Sequence, residues 1–199
     1  VRGSPAGARL FRVLEANLEQ RGIEVHTSTA AQRLYTGDSG IVVGLLAEGP
    51  RGATTVRARR GVVLACGGFE GDARMQQEYW QARPGLSAAL PANTGDGIRM
   101  ALDISAAPYG HWSGCHAVGC DRNAPEFGDL AVGERFLKHS YPFAIMITAT
   151  GERFLDEGAD FRNHTYAKYG AVILRQPDQF AWQVFDAKVT HLQRDEYRI

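Results

Sequence analysis

Four stretches of the sequence hold residues whose types and spacing could do chemistry. The densest is Gly151–Asn163, where Glu152, Arg153, Asp156, Glu157, Asp160 and Arg162 alternate in sign. Two accounts fit such a run. It could be a solvated turn whose surface ion pairs contribute under about 1 kcal/mol each. It could instead hold a buried arginine fixed by a carboxylate, able to bind an anion and exchange a proton. Composition does not choose between them. A second stretch, His111–Cys120, carries His111, Cys115, His116 and Cys120 among small residues. That set invites a zinc reading, yet it lacks the paired Cys and His halves of a finger, so no metal is expected. A loop presenting one His to a pocket is the expectation, with a merely packed His as the alternative.

The other two stretches are rich in glycine. Gly61–Phe69 is an apolar run ending in Gly67-Gly68. With no Cβ in the way, a large ligand can approach such backbone closely, although a strand and a tight turn would leave the same trace. Ala92–Ala101 sets Gly95 and Gly97 around Asp96. Asp96 is expected to cap a helix. The backbone N–H groups at that positive helix end could also hold an anionic or electron-rich cofactor.

Elements must position these residues, and the patterning supplies them. Residues 8–21 read as an amphipathic helix with Leu10, Val13, Leu14 and Leu18 on one face, closed by Gly22. Ile23–Thr27 alternates with period two, as a half-buried strand does. Further strands are expected near Gln32–Tyr35, at Ile41–Ala47 and at Thr54–Ala58, with turns between them. Gly61–Cys66 predicts a strand buried on both faces, as in a parallel sheet covered by helices. Beyond it the pattern predicts helices at Asp72–Trp80, Asp96–Leu102, Asn163–Leu174 and Lys188–Tyr197, with strands at Phe143–Thr148 and Phe180–Phe185. Pro84–Pro91 and residues 105–135 read as loops. The class is mixed α/β. The shift in character near residue 105 suggests two parts, 1–104 and 105–199.

The whole chain has 199 residues, with 22 Lys+Arg against 22 Asp+Glu and no formal net charge. That balance argues against a general electrostatic nucleic-acid binder, which needs a cationic surplus. Hydrophobic residues at 44% fit a folded chain rather than a disordered one. No run approaches the roughly 18 apolar residues of a spanning helix. Three cysteines are too few for a disulfide scaffold and fit a reducing compartment. The chain starts at Val1 rather than Met, so Val1 is expected to be a cut point.

Taken in order, V-V-L-A-x-G-G-F, T-G-D-G-x-x-M-A, a His-bearing loop, and G-x-R-F-x-x-E followed by an arginine form a recognisable series. It resembles the flavoprotein subunits of the fumarate reductase and succinate dehydrogenase superfamily, which includes the 3-ketosteroid dehydrogenases. The stretches Trp112–Val118, Ser140–Ile145 and Gly158–Gly170 are most similar to the FAD-dependent tricarballylate dehydrogenase group. The resemblance covers nearly all of the chain.

The resemblance implies a bound FAD whose N5 accepts a hydride from a C–C bond of tricarballylate, giving cis-aconitate. By it, Arg162 matches the arginine that gives or takes the proton, although its spacing from Glu157 is one residue longer than usual. His116 matches the histidine that binds a substrate carboxylate. Glu157 is a weaker match for a residue orienting Arg162, and Lys168 could add a further cation. Ala65, Gly67 and Gly68 match positions lining FAD, Gly95, Asp96 and Gly97 lie near the flavin, and Ala31 sits beside the adenine. An arginine exchanges protons poorly unless a carboxylate or relay assists, because its pKa exceeds about 12.

No G-x-G-x-x-G is found, so the dinucleotide fingerprint is missing. The expectation is therefore a partial FAD-binding domain (1–104) with a capping, substrate-covering domain (105–199), inactive alone. The resemblance further implies a cytoplasmic enzyme that passes electrons to a membrane-associated iron–sulfur protein and so sits at the periphery of the inner membrane. Other readings stay open: a fumarate reductase, a 3-ketosteroid dehydrogenase-like flavoenzyme, or a non-catalytic binding module. Arg162 and His116 facing different sides of the molecule would favour the last.

Overall fold

The computed structural model describes residues 6–80, 91–126, 128–129, 131 and 136–194, and the chain divides into two compact units, Val1–Val62 and Val63–Ile199. In the first, α1 (Ala6–Gln20) follows the expected amphipathic pattern. It ends where Gly22 takes φ +60° and the Ile23 N–H returns to the Leu18 carbonyl at 3.0 Å. This is the left-handed glycine stop.

Ile23–Thr27, expected as a strand, is unpaired, and Ile23 and Val25 are exposed. Alternation describes where side chains point, but a strand also needs a partner edge. Three antiparallel strands follow: β1 (Ala30–Thr36), β2 (Val42–Gly49) and β3 (Gly52–Arg57), in that spatial order. Leu34 opposes Leu45, and Gly49 opposes Gly52 across a tight turn, so consecutive strands pair as hairpins. Leu34 and Ala47 are this sheet's buried apolar residues.

The second unit begins with a correction. Gly61–Cys66 forms no strand, and Val63 is 90% exposed. A strand buried on both faces needs neighbours at both edges and cover on both sides, and the described residues supply neither. Next, α2 (Ala73–Trp80) is capped by Asp72, whose Oδ1 accepts the Met75 N–H at 2.8 Å. The helix α3 (Asp96–Asp103) corrects the capping expectation. Its N-cap is Gly95 at φ +77°, while Asp96 is the first helical residue and pairs with Arg99. A Cβ at Gly95 would lie 2.5 Å from Met75 Sδ, so both conformation and space call for glycine there.

Two strands, β4 (Ile145–Thr148) and β5 (Ala181–Val184), pair antiparallel, with Ile147 opposite Trp182. The start of the expected strand 143–148 is instead a 3₁₀ turn, Tyr141–Phe143, containing Pro142. Between β4 and β5 lies α4 (Arg162–Leu174). Tyr141, Met146 and Tyr169 form a buried cluster, against which Phe154, Leu155, Tyr166 and Ile173 pack. The expected helix Lys188–Tyr197 is a 3₁₀ segment, Ala187–Leu192, started by Asp186 Oδ1 accepting the Lys188 N–H at 2.8 Å. Its expected end, and most of the expected loop Pro84–Pro91, lie outside the described residues. No described helix is long and apolar enough to cross a membrane.

Candidate active site

Arg162 opens α4, and its backbone is firmly held. Tyr141 Oη donates to the Arg162 carbonyl at 3.1 Å and is bonded to Thr165 Oγ1, while Tyr169 Oη donates to the Asp156 carbonyl. Burial raises the Tyr141 pKa, which keeps the phenol a donor, although the Thr165 bond and the Arg162 charge oppose the rise. These tyrosines, spaced along the core, fix the first turns of α4.

The Arg162 side chain lines a cavity of about 650 Å³ together with Arg194, His139, Asp160, Phe143 and Phe161. Its Nη2 donates to Asn163 Oδ1 at 2.7 Å. Ser140, 2% exposed, accepts the Arg194 N–H on its Oγ at 3.1 Å and joins that segment to the cavity wall. The Phe161 N–H and His164 hold the Asp160 carboxyl below its usual range, so a carboxylate shares the cavity with Arg162. Arg162 at the start of α4, where the dipole is positive, with Arg194 in the same cavity wall, makes a setting suited to an anion.

His116 reaches the same helix. Its Nε2 lies 2.7 Å from Tyr166 Oη, and Tyr166 follows Arg162 by four residues, one turn further on the same face. The Tyr166 ring also meets the cavity-lining His139 edge-on, with centroids 5.3 Å apart. His116 and Arg162 are thus tied to one face of α4. Sequence reasoning did not single out His139, Tyr166 or Arg194.

Gly170 makes this arrangement possible. A Cβ there would lie 2.1 Å from the Ala117 carbonyl oxygen and 2.7 Å from the Val118 nitrogen, so the His116 loop passes directly against α4. Gly170→Ala is expected to push that loop away and lower stability by about 2 kcal/mol, as overpacked sites do. Chemical denaturation checks this, and an unchanged midpoint would contradict the close approach.

Two expected site residues sit elsewhere. Glu157 does not orient Arg162. Its carboxylate, 4% exposed, accepts the Met146 N–H at 2.6 Å and pairs with Arg153, at 2.5 Å from Nη2. Lys168 lies six residues beyond Arg162, on another face of α4. It is exposed and does not line the cavity, and its Nζ stands 5.8 Å from the centre of the Tyr169 ring.

The glycine-rich stretches come together in the second unit. The Gly95 N–H donates to the Gly68 carbonyl at 2.9 Å, and the Gly71 N–H donates to the Asn93 carbonyl at 2.8 Å. Gly67 has φ +76°, and a Cβ on Gly97 would lie 2.7 Å from Cys66 Sγ. The exposed backbone of Ala65–Gly67 therefore runs close to the first turn of α3. An exposed edge beside a helix start fits a cofactor bound through backbone, and Ala65, Gly67, Gly68, Gly95, Asp96 and Gly97 are the residues that would hold it. Ala31 is on β1 of the other unit. Among the described residues no group of three or more His, Cys, Asp or Glu is placed to hold a metal, the His111–Cys120 stretch included.

Comparison with known proteins adds the following. The pattern of the FAD binding domain family matches residues 2–195. A 3-oxosteroid 1-dehydrogenase of Mycobacterium tuberculosis is 30% identical over 96% of this chain and 34% of its own length. A probable fumarate reductase of Shewanella frigidimarina is 28% identical over 92% of this chain and 29% of its own length. Among solved structures, the 3-ketosteroid delta1-dehydrogenase from Sterolibacterium denitrificans superposes with a TM-score of 0.70 and 26% identity, covering 88% of this chain and 31% of that one. A flavocytochrome c3 fumarate reductase shares the fold, with a TM-score of 0.66 and 24% identity, over 99% of this chain and 33% of that one. The chain thus spans about a third of the length of the curated relatives it matches.

Proposed function

This chain belongs to the FAD binding domain family, within the fumarate reductase and succinate dehydrogenase flavoprotein superfamily, and on that premise we propose that its protein oxidises a C–C bond of a small polycarboxylate, tricarballylate to cis-aconitate. FAD, when bound, supplies the acceptor for a hydride. The observation that carries the substrate class is the cavity holding Arg162 and Arg194 with His139. Planar guanidinium groups suit carboxylates in fixed geometry. Arg162 has two tasks in this reading: it holds a substrate carboxylate, and it moves the second proton. Asp160, ionised in the same cavity, is the carboxylate that assists it; Glu157 is engaged by Arg153. Electrons then leave through a membrane-associated iron–sulfur protein, and the enzyme works in the cytoplasm beside the inner membrane. Residues 105–199 serve as the substrate-covering domain.

The test uses the full-length protein with its flavin. Anaerobic tricarballylate should bleach the visible flavin absorbance, and an artificial electron acceptor should restore it. No bleaching with any small polycarboxylate would overturn the reading. A second reading, dehydrogenation of a 3-ketosteroid, is favoured by the apolar walls Phe143 and Phe161 and by the steroid dehydrogenase relatives. Bleaching by a 3-ketosteroid but by no polycarboxylate would select it.

A further inference from the structure

We propose that Arg99 is a positioning residue for the cofactor: its guanidinium holds and compensates the carboxylates that crowd the glycine-rich edge, and so lets that edge take the anionic FAD. The inference rests on membership of the FAD binding domain family and not on the substrate proposed above. FAD carries its pyrophosphate charge wherever it lies along the edge, so negative side chains there oppose its binding. The edge is rich in them. Asp96 opens α3, and its carboxylate stands at the positive helix end that would otherwise favour a bound anion. Asp72 caps α2 beside it. Glu70 adds a third, since a Cβ on Gly68 would lie 2.7 Å from its Oε2.

Arg99 meets two of the three. Its Nη2 donates to Asp96 Oδ1, while Nη1 donates to the Thr94 carbonyl at 2.5 Å and stands 3.4 Å from Asp72 Oδ2. Each carboxylate keeps a second partner. Thr94 Oγ1 donates to Asp96 Oδ2 at 3.1 Å, and Asp72 Oδ1 accepts the Met75 N–H at 2.8 Å. Glu70 accepts from a neutral group, Asn93 Nδ2, at 2.6 Å. The Thr94 carbonyl and Asp72 keep the guanidinium in place whatever stands at position 96. Both ion pairs are partly exposed, so they contribute little to folding stability. Their effect falls instead on the charge that a ligand meets at the start of α3, and Arg99 acts on that ligand through Asp96.

Arg99→Gln in the full-length holoenzyme should raise the FAD dissociation constant about tenfold, read from the fluorescence of flavin released on dilution. Arg99→Lys keeps the charge and should stay within about threefold of native. Asp96→Asn placed in the Arg99→Gln background removes the charge left uncompensated and should recover most of the loss. High salt should narrow the gap between Arg99→Gln and the native protein, because it screens exposed charges. A purely structural brace gives the opposite pattern: Lys as damaging as Gln, no recovery from Asp96→Asn, and a gap indifferent to salt. Any of these overturns the inference, as does native FAD affinity in Arg99→Gln. Loss of folded protein in Arg99→Gln that Asp96→Asn does not reverse would make Arg99 a scaffold residue and also overturn it. Turnover enters none of these measurements, so failure of the tricarballylate reading leaves them standing.

Discussion

Arg162→Ala should lower turnover of the full-length enzyme by about two to four powers of ten, the range for removing a group that transfers a proton in the transition state. Flavin content should not follow. The structure separates the two readouts because the scaffold uses this residue's backbone, not its side chain. Tyr141 Oη donates to the Arg162 carbonyl, which any residue supplies, and the buried Tyr141–Thr165 contact persists after truncation. The guanidinium contributes one bond to its neighbour Asn163 and otherwise lines the cavity. Arg162→Lys retains the charge but not the planar fork, so it should recover little of the rate. Steady-state turnover beside flavin absorbance per protein checks both variants. A parallel fall of turnover and flavin would make Arg162 structural, and a loss below threefold would remove it from the mechanism.

What the sequence disclosed about this site, and what it hid, follows from the range of the interactions. The span of α4 is legible to within one residue, because helical signals are local. The hairpins β1–β2 and β2–β3 are legible for the same reason, since turn residues lie between adjacent strands. Ile23–Thr27 and Gly61–Cys66 carry strand-like patterns without becoming strands, because pairing depends on a partner that the pattern does not encode. Tyr166 meets His116, fifty residues away, through a contact that no local pattern encodes. His139 and Arg194 join Arg162 through the fold of the cavity, with no motif between them. The charged run 151–163 fits only part of what was expected of it: its buried group is the Glu157 carboxylate, paired with an exposed Arg153, rather than an arginine, while Asp160 and His164 form a solvated pair. Spacing cannot assign which carboxylate faces which arginine.

That assignment makes Glu157 the second large effect, and its character is opposite to that of Arg162. Met146 sits in the core, 6% exposed, and its N–H is satisfied by the Glu157 side chain rather than by a strand. Glu157→Ala leaves that buried donor unpaired and releases Arg153, a combined cost of about 3 kcal/mol. Because Arg153 is 58% exposed, water satisfies it after the change, so most of the loss comes from Met146 and the emptied space. Glu157→Gln keeps an acceptor for Met146 and should cost about 1 kcal/mol. The pH dependence has a definite sign. Burial alone would raise the Glu157 pKa, but the Arg153 and Met146 hydrogen bonds outweigh it and hold the carboxyl below its ordinary value. A group with a depressed folded pKa stabilises fully above its unfolded value, about 4.3, and loses that contribution as pH falls through the folded one. Denaturation midpoints of the native protein should therefore decline with acid more steeply than those of Glu157→Gln, and equal slopes would refute the pairing. In Glu157→Ala, flavin and turnover should fall together through loss of folded protein, whereas Arg162→Ala should remove turnover alone. A Glu157→Gln variant with native stability but a collapsed kcat would instead return Glu157 to the proton path.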